Sequence, residues 1–253
     1  MNPSVTFIVQ IYFDCDWPQL PQTEHWVRER REFFENFTLK SLLNQEFKDF
    51  RIQLLCGKTF KHLTSNWIWH DKIDVCYDLG RQVNQDIDTD YLSVTRLDSD
   101  DMYHRLAMSD VRDNLILSDK RECLIFRHGW SWDRMNSCLV PRFRPSPPFY
   151  THIFPKGIYK NWQNYEANHF IGHGRAGGRL PDTVELPKGR HCVIRHETNV
   201  GAYNRNDMPA KYTEHQFAKV KNTFPDGVFD YKGVVKILSD FGMPEDQIPR
   251  KGE

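Results

Sequence analysis

The apolar positions along this chain fall into short continuous runs and longer periodic ones. Val5 to Phe13 is a near-continuous apolar and β-branched run, the pattern of a strand buried on both faces. From Val27 to Asn44 the spacing of Phe33, Phe34, Phe37 and Leu42 predicts an amphipathic helix. Phe50 to Cys56 is a second apolar strand, closed by Gly57, so the chain opens strand, helix, strand, as in a parallel α/β layer. Ile73 to Tyr77 and Tyr91 to Leu97 predict further strands, and a helical pattern runs from Met102 to Leu117. Glu122 to Phe126 and Ser137 to Phe143 read as strands around a Trp-rich turn, and Pro145, Pro147 and Pro148 then interrupt regular structure. Trp162 to Ile171 reads as a helix and Arg190 to Arg195 as a strand. Thr213 to Lys221 and Tyr231 to Phe241 are helical patterns that close the chain.

This alternation predicts an α/β fold with one mixed central sheet flanked by helices. A length of 253 residues without a repeat or long linker fits one domain, 1–253. Within it, roughly 1–118 forms a nucleotide-side half and 119–253 an acceptor-side half. The formal net charge is zero, from 34 basic and 34 acidic residues, so bulk charge does not favour a long nucleic-acid partner. The six cysteines are scattered with no CxxC pair, the usage of reduced thiols in a cytoplasmic protein. The run VTFIVQIYF is too short to span a membrane and lacks a basic leader, so no membrane span is expected.

The chemistry concentrates in Asp90 to His104, where an extended run delivers Asp98, Asp100 and Asp101. Crowded carboxylates repel one another, and a cation at the strand end relieves that repulsion; Mg2+ and Mn2+ prefer oxygen ligands. If the extension continues through Ser99, Asp98 and Asp100 share a face. The competing reading is that these residues cap the helix that follows.

Other candidates are weaker. His196, just past an apolar strand, reads as a third metal ligand or as a hydrogen-bonded structural histidine. Glu166 is a candidate general base and Asp133 its rival; each reads equally as an ordinary solvated carboxylate. The segment GHGRAGG contains GxGxxG without the strand before it or the helix after it, which excludes a dinucleotide fingerprint. Its Arg175 and the following Arg179 suit a loop closing over a diphosphate, or a plain surface loop. Lys58, Arg96, Arg195 and Arg205 are further cations for a phosphate or carboxylate. There is no Walker A loop, no HExxH and no GxSxG.

Three stretches, taken in order, resemble nucleotide-sugar-dependent glycosyltransferases of the GT-A fold, and more narrowly the rhamnosyltransferase group. Phe37 to Phe50 (FTLKSLLNQEFKDF) is similar to that superfamily's helix, NQ turn and second strand. Arg96 to Asp101 (RLDSDD) is similar to its metal-binding DxD segment. Pro145 to Tyr150 (PSPPFY), with Trp162 and His169 beyond, is similar to the narrower group. The likeness spans residues 1 to about 200. It implies a GT-A-like fold and a nucleotide-sugar donor in the first half. It also implies Mn2+ or Mg2+ on Asp98 and Asp100 with Asp101 close by, and Phe13 and Asp14 near the base. Where many relatives carry an acidic residue after the second strand, this chain has Cys56-Gly57-Lys58, a departure in the base contacts.

The expectation is therefore a metal-dependent glycosyltransferase acting on a hydroxyl acceptor: a glycan, a lipid-linked sugar, a protein or a modified nucleobase. Two rivals use the same residues differently. One is a metal-dependent nucleotide-sugar hydrolase or nucleotidyltransferase; the other is a non-catalytic carbohydrate-binding protein.

Overall fold

A computed structural model describes residues 3–14, 23–77, 86–161, 163–165, 183–196 and 213–250. The first apolar run is β1 (Val5–Tyr12), followed by helix α1 (Glu24–Phe33), whose first turn is capped by Thr23. Helix continues without a break through a wide π turn (Phe34–Thr38) into α2 (Leu39–Leu43). Then come β2 (Arg51–Leu55), the short helix α3 (Lys61–Thr64), β3 (Ile73–Cys76) and β4 (Tyr91–Asp98). The predicted helix and strands of the first hundred residues stand within a few residues of their predicted ends.

After β4 the expectations need correction. Residues Asp101–Tyr103 form a strand, β5, where a helix beginning at Met102 was expected. The helix itself, α4, spans only Ala107–Asp113. Helical spacing of Met102 with Leu106 misleads here, because Met102 hydrogen-bonds as a strand residue opposite Cys192. Next are β6 (Glu122–Ile125), β7 (His128–Asp133), β8 (Cys138–Phe143), β9 (Tyr150–Pro155) and α5 (Lys156–Tyr159). The Trp-rich segment is thus a strand, β7, and β9 follows the prolines with no sequence signal anticipating it. The chain closes with β10 (Thr183–Glu185), β11 (His191–Arg195), α6 (Glu214–Thr223) and α7 (Tyr231–Ser239).

These strands make two sheets. The larger has the order β10-β6-β9-β4-β1-β2-β3, and the smaller β5-β11-β7-β8. In the larger, β3, β2, β1 and β4 all run parallel, while β9 runs antiparallel between β4 and β6. The whole is a mixed α/β architecture with helices packed on a central mixed sheet, as expected. Apolar residues alternate across β1: Phe7, Val9 and Ile11 join one core, while Ile8 packs with Leu92, Val94 and Phe154 on the opposite face. Burial on both faces explains the unbroken apolar run. Two polar pairs bridge strands inside the sheet, Gln10 with Gln53 at 3.1 Å and Thr95 with Thr151 at 2.8 Å.

Strand order reverses at β1. From β1 the chain goes outward to β2 and β3, then returns to add β4 on β1's other flank. Ligands of open α/β sheets bind outside the carboxyl ends of the strands at such a switch point. Here that edge is formed by Phe13 and Asp14 after β1, Cys56 to Lys58 after β2, and Asp98 at the end of β4.

Candidate active site

The turn after β4 carries the chain from one sheet to the other. Asp98 still pairs with Tyr12 in the larger sheet, and Asp101 already pairs with Val193 in the smaller. Ser99 and Asp100 form the turn between them. Extension therefore stops at Asp98, and the shared face expected for Asp98 and Asp100 does not arise from a continuous strand.

Each carboxylate meets a different environment. Asp98 is the most accessible, with its side chain 27% exposed, and accepts a hydrogen bond from Arg96 Nη2 at 3.2 Å. Arg96 in turn lies over the Tyr12 ring, 4.5 Å from its centroid. Burial pulls the Arg96 guanidinium downward in pKa, but Asp98 together with Tyr150 and Tyr12 outweighs it and the net shift is upward.

Asp100 is buried and accepts from both arms of Arg30, at 3.2 Å from Nη1 and 3.4 Å from Nη2. Its Oδ2 also lies 3.3 Å from His196 Nε2. Burial opposes ionisation, yet Arg30 and His196 together hold the Asp100 carboxyl below the usual carboxylate range. The His196 ring is itself buried and stacked on Phe33, with centroids 4.0 Å apart and planes 25° apart.

Asp101 points elsewhere. Its Oδ1 accepts from the backbone N–H of Ile194 at 3.2 Å, and its backbone carbonyl accepts from Thr38 Oγ1 at 2.8 Å. Burial, then the charges of Asp100 and Asp98, raise its pKa well above the ordinary value.

Arg30, which sequence reasoning passed over, stands across the switch point. Its Nε donates to the Phe13 carbonyl at 3.1 Å, and its fork grips Asp100. One side chain thus ties the end of β1 to the turn after β4. A signal was present: Val27, Arg30, Phe34 and Phe37 fall on one helical stripe, and an arginine on an otherwise apolar stripe must find a buried partner. The π turn, also unanticipated, begins just after Phe33, which reaches His196, and contains Phe37, which packs on Trp132 of the smaller sheet.

Phe13 and Asp14 lie at the edge where the resemblance puts them, in an unexpected posture. The Phe13 ring is core, edge-on to Phe34, Trp67 and Trp69, so only its backbone faces the crevice. Asp14 is buried and accepts from the Gly57 N–H at 2.6 Å, stitching the ends of β1 and β2. The side chain of Lys58 is exposed just beyond.

Asp133, at the end of β7, is buried and holds a turn: its Oδ1 accepts from the Asn136 N–H at 3.1 Å and from Asn136 Nδ2 at 3.0 Å. Its Oδ2 lies 3.7 Å from Arg195 Nη1. These are structural contacts, which weakens Asp133 as a base. Glu166, Arg175 and Arg179, with Trp162, His169 and Arg205, lie outside the described residues.

A divalent cation has a partial fit. Two adjacent ligand atoms on one octahedral cation stand about 3 Å apart, the spacing found between Asp100 Oδ2 and His196 Nε2 (3.3 Å). Asp98 offers an accessible carboxylate in the same turn. Asp101, turned to β11, does not fit the set. Among the described residues no group of three His, Cys, Asp or Glu side chains converges into a finished cage.

No protein-family model matches the chain, and no curated protein matches it. Solved structures do. Residues 1–349 of S. aureus TarS match at TM-score 0.40 and 10% identity, covering 93% of this chain and 70% of that one. The 2-C-methyl-D-erythritol 4-phosphate cytidylyltransferase of Francisella tularensis matches at TM-score 0.40 and 13% identity, covering 86% and 99%. Rv0371c of Mycobacterium tuberculosis matches at TM-score 0.40 and 14% identity, covering 80% and 97%. Likeness at this level is distant, and the fold class rests on the strand order itself. Among the described residues no helix is long and apolar enough to cross a membrane. Among the described residues, Cys56, Cys76, Cys123, Cys138 and Cys192 are buried and form no disulfide.

Proposed function

We propose that this chain is a GT-A-type transferase that moves a sugar from a nucleotide-sugar donor to a hydroxyl acceptor. The observation that carries the reading is the β1/β4 switch point, where Asp98 ends one of four parallel strands and Asp100, two residues on, lies 3.3 Å from His196. The RLDSDD resemblance falls on that same turn.

Asp98, the more accessible carboxylate, would contact Mn2+ or Mg2+ from one side, with Asp100 and His196 as the other candidate ligands. When bound, the cation supplies Lewis-acid stabilisation of the charge developing on the leaving diphosphate. Arg30 orients Asp100, and Phe33 orients His196 by stacking on its ring. Arg96 orients Asp98 in the same way. Asp101 serves as a strut between the two sheets rather than as a ligand. Glu166 remains the proposed base for the acceptor hydroxyl, and Arg175 and Arg179 the proposed diphosphate clamp. Lys58 is the proposed cation at the β2 end of the crevice. The protein would act in the cytoplasm, on a glycan or another hydroxyl compound rather than a long nucleic acid.

The test is thermal stability against a panel of nucleoside diphosphates and nucleotide sugars, with and without Mn2+. A ligand that binds only the native state raises the melting temperature by mass action. The expected result is a Mn2+-dependent rise for one nucleotide, lost in Asp98→Ala. Pyrophosphate release from a nucleoside triphosphate, with no sugar transferred, would replace this reading by a nucleotidyltransferase.

A further inference from the structure

The smaller sheet has two unlike faces. On one, Met102, Trp132, Leu139, Cys192 and Ile194 pack with Val234 and Leu238 of α7. Strand register places Asp101, Val193, Ser131 and Val140 in one row across the other face. Arg142 stands on that same face, two residues along β8 from Val140 and opposite Gly129. Arg195 lies on it too, on the far side of the row.

Arg142 is the anomaly of this face. Its side chain is partly buried, and its Nε is shut off from water with no hydrogen-bond partner. Among the described residues no carboxylate makes an ion pair with its guanidinium, and its neighbours sharpen the problem. Burial lowers its pKa, Asp101 opposes that shift, and the like charges of Arg144 and Arg195 add to it. A guanidinium does not shed its proton to escape, so a desolvated and repelled charge persists there. Such a charge is costly unless an anion completes it, and the outer Nη edge of its planar fork suits an oxyanion.

We propose that Arg142, flanked by Arg144 and Arg195, is an oxyanion subsite that receives a phosphate or carboxylate group of the acceptor, separate from the donor's diphosphate. Its place supports this: Asp101, whose charge reaches Arg142, immediately follows Asp100 of the proposed donor site. The acceptor role rests on the transferase reading; the anion site does not.

The experiment titrates inorganic phosphate into the full chain and into Arg142→Gln and Arg142→Lys, following melting temperature and calorimetric heat at fixed ionic strength. Phosphate should stabilise the wild type, weaken about tenfold or more in Arg142→Gln, and recover in part in Arg142→Lys. Without phosphate, Arg142→Gln should melt at or above the wild-type temperature, because it removes an unpaired charge; a structural arginine would give the reverse. The titration is repeated with UDP, GDP, CDP and dTDP, each with Mn2+. Additive binding of phosphate and nucleotide supports a separate subsite, whereas competition would assign the anion site to the donor and overturn the proposal. No response of the wild type to phosphate would overturn it as well. If none of the four nucleotides binds, the transferase reading is what fails, and the phosphate response alone still decides the Arg142 site.

Discussion

The guanidinium of Arg30 donates to both carboxylate oxygens of Asp100, at 3.2 and 3.4 Å, with both side chains buried. A pair of this kind contributes little against a well-packed apolar alternative, but losing one partner strands a charge. Arg30→Gln should therefore destabilise the protein by about 3 kcal/mol in urea denaturation. Arg30→Gln with Asp100→Asn should be more stable than Arg30→Gln alone. Additive losses in the double variant would show that the two residues act independently.

Asp98 and Asp100 should respond differently to removal, although both are candidate ligands. Asp98→Ala breaks a pair in which Arg96 is buried but Asp98 is partly exposed, and should cost about 2 kcal/mol, less than the loss of Asp100, while abolishing Mn2+-dependent nucleotide binding. Asp100→Ala leaves Arg30 buried without its partner and should cost about 3 kcal/mol even in the absence of metal. Denaturation curves of the two variants in EDTA check this; equal stabilities would contradict the burial argument.

His191 gives the protein an acid-sensitive component. The ring is buried, stacked on Phe149 at 3.9 Å, and neither of its nitrogens has a partner. Burial, then Arg142 and His128, push its pKa down from 6.5 to about 3. Between those values the unfolded chain binds a proton that the folded one refuses, so stability rises with pH. The contribution is complete above 6.5 and falls away as pH drops toward 3. The slope from this residue approaches about 1.4 kcal/mol per pH unit in mid-window. Urea midpoints at pH 7 and pH 4.5 should differ less in His191→Phe than in the wild type, and an unchanged difference would remove His191 as the cause.

Gly129 is where the chain needs a missing side chain. A Cβ there would come within 2.4 Å of His191 Nε2, and the ring, held by Phe149, has no room to retreat. Gly129→Ala should cost about 2 kcal/mol. His191→Ala should make that substitution nearly neutral, a coupling readable from a double-mutant cycle. Without coupling, the close approach is not what demands glycine.

Much of the larger sheet was legible in the sequence. The strands β1, β2 and β4 are buried on both faces over most of their length, so their apolar and β-branched runs stand out in the chain. The helix from α1 to α2 was legible for a similar reason, its phenylalanines repeating at helical spacing. β7 was hidden because its alternation is written in Trp, Ser and His, residues that also make turns. β9 was hidden behind the prolines 145, 147 and 148, and β5 because three residues are too few to show a period.

The sequence by itself determined that carboxylates crowd the turn Asp98 to Asp101 at the end of a buried strand, and that His196 follows another strand. Tertiary structure alone decided what each of these groups is. Asp100 and His196 lie 96 residues apart in sequence and 3.3 Å apart in space, and Asp101 is turned toward the Ile194 N–H by the change of sheet at Ser99 and Asp100. Strand period states which side a residue faces, but not what waits there. For a carboxylate, the nearest cation and the loss of water set its charge, and both are properties of the folded neighbourhood.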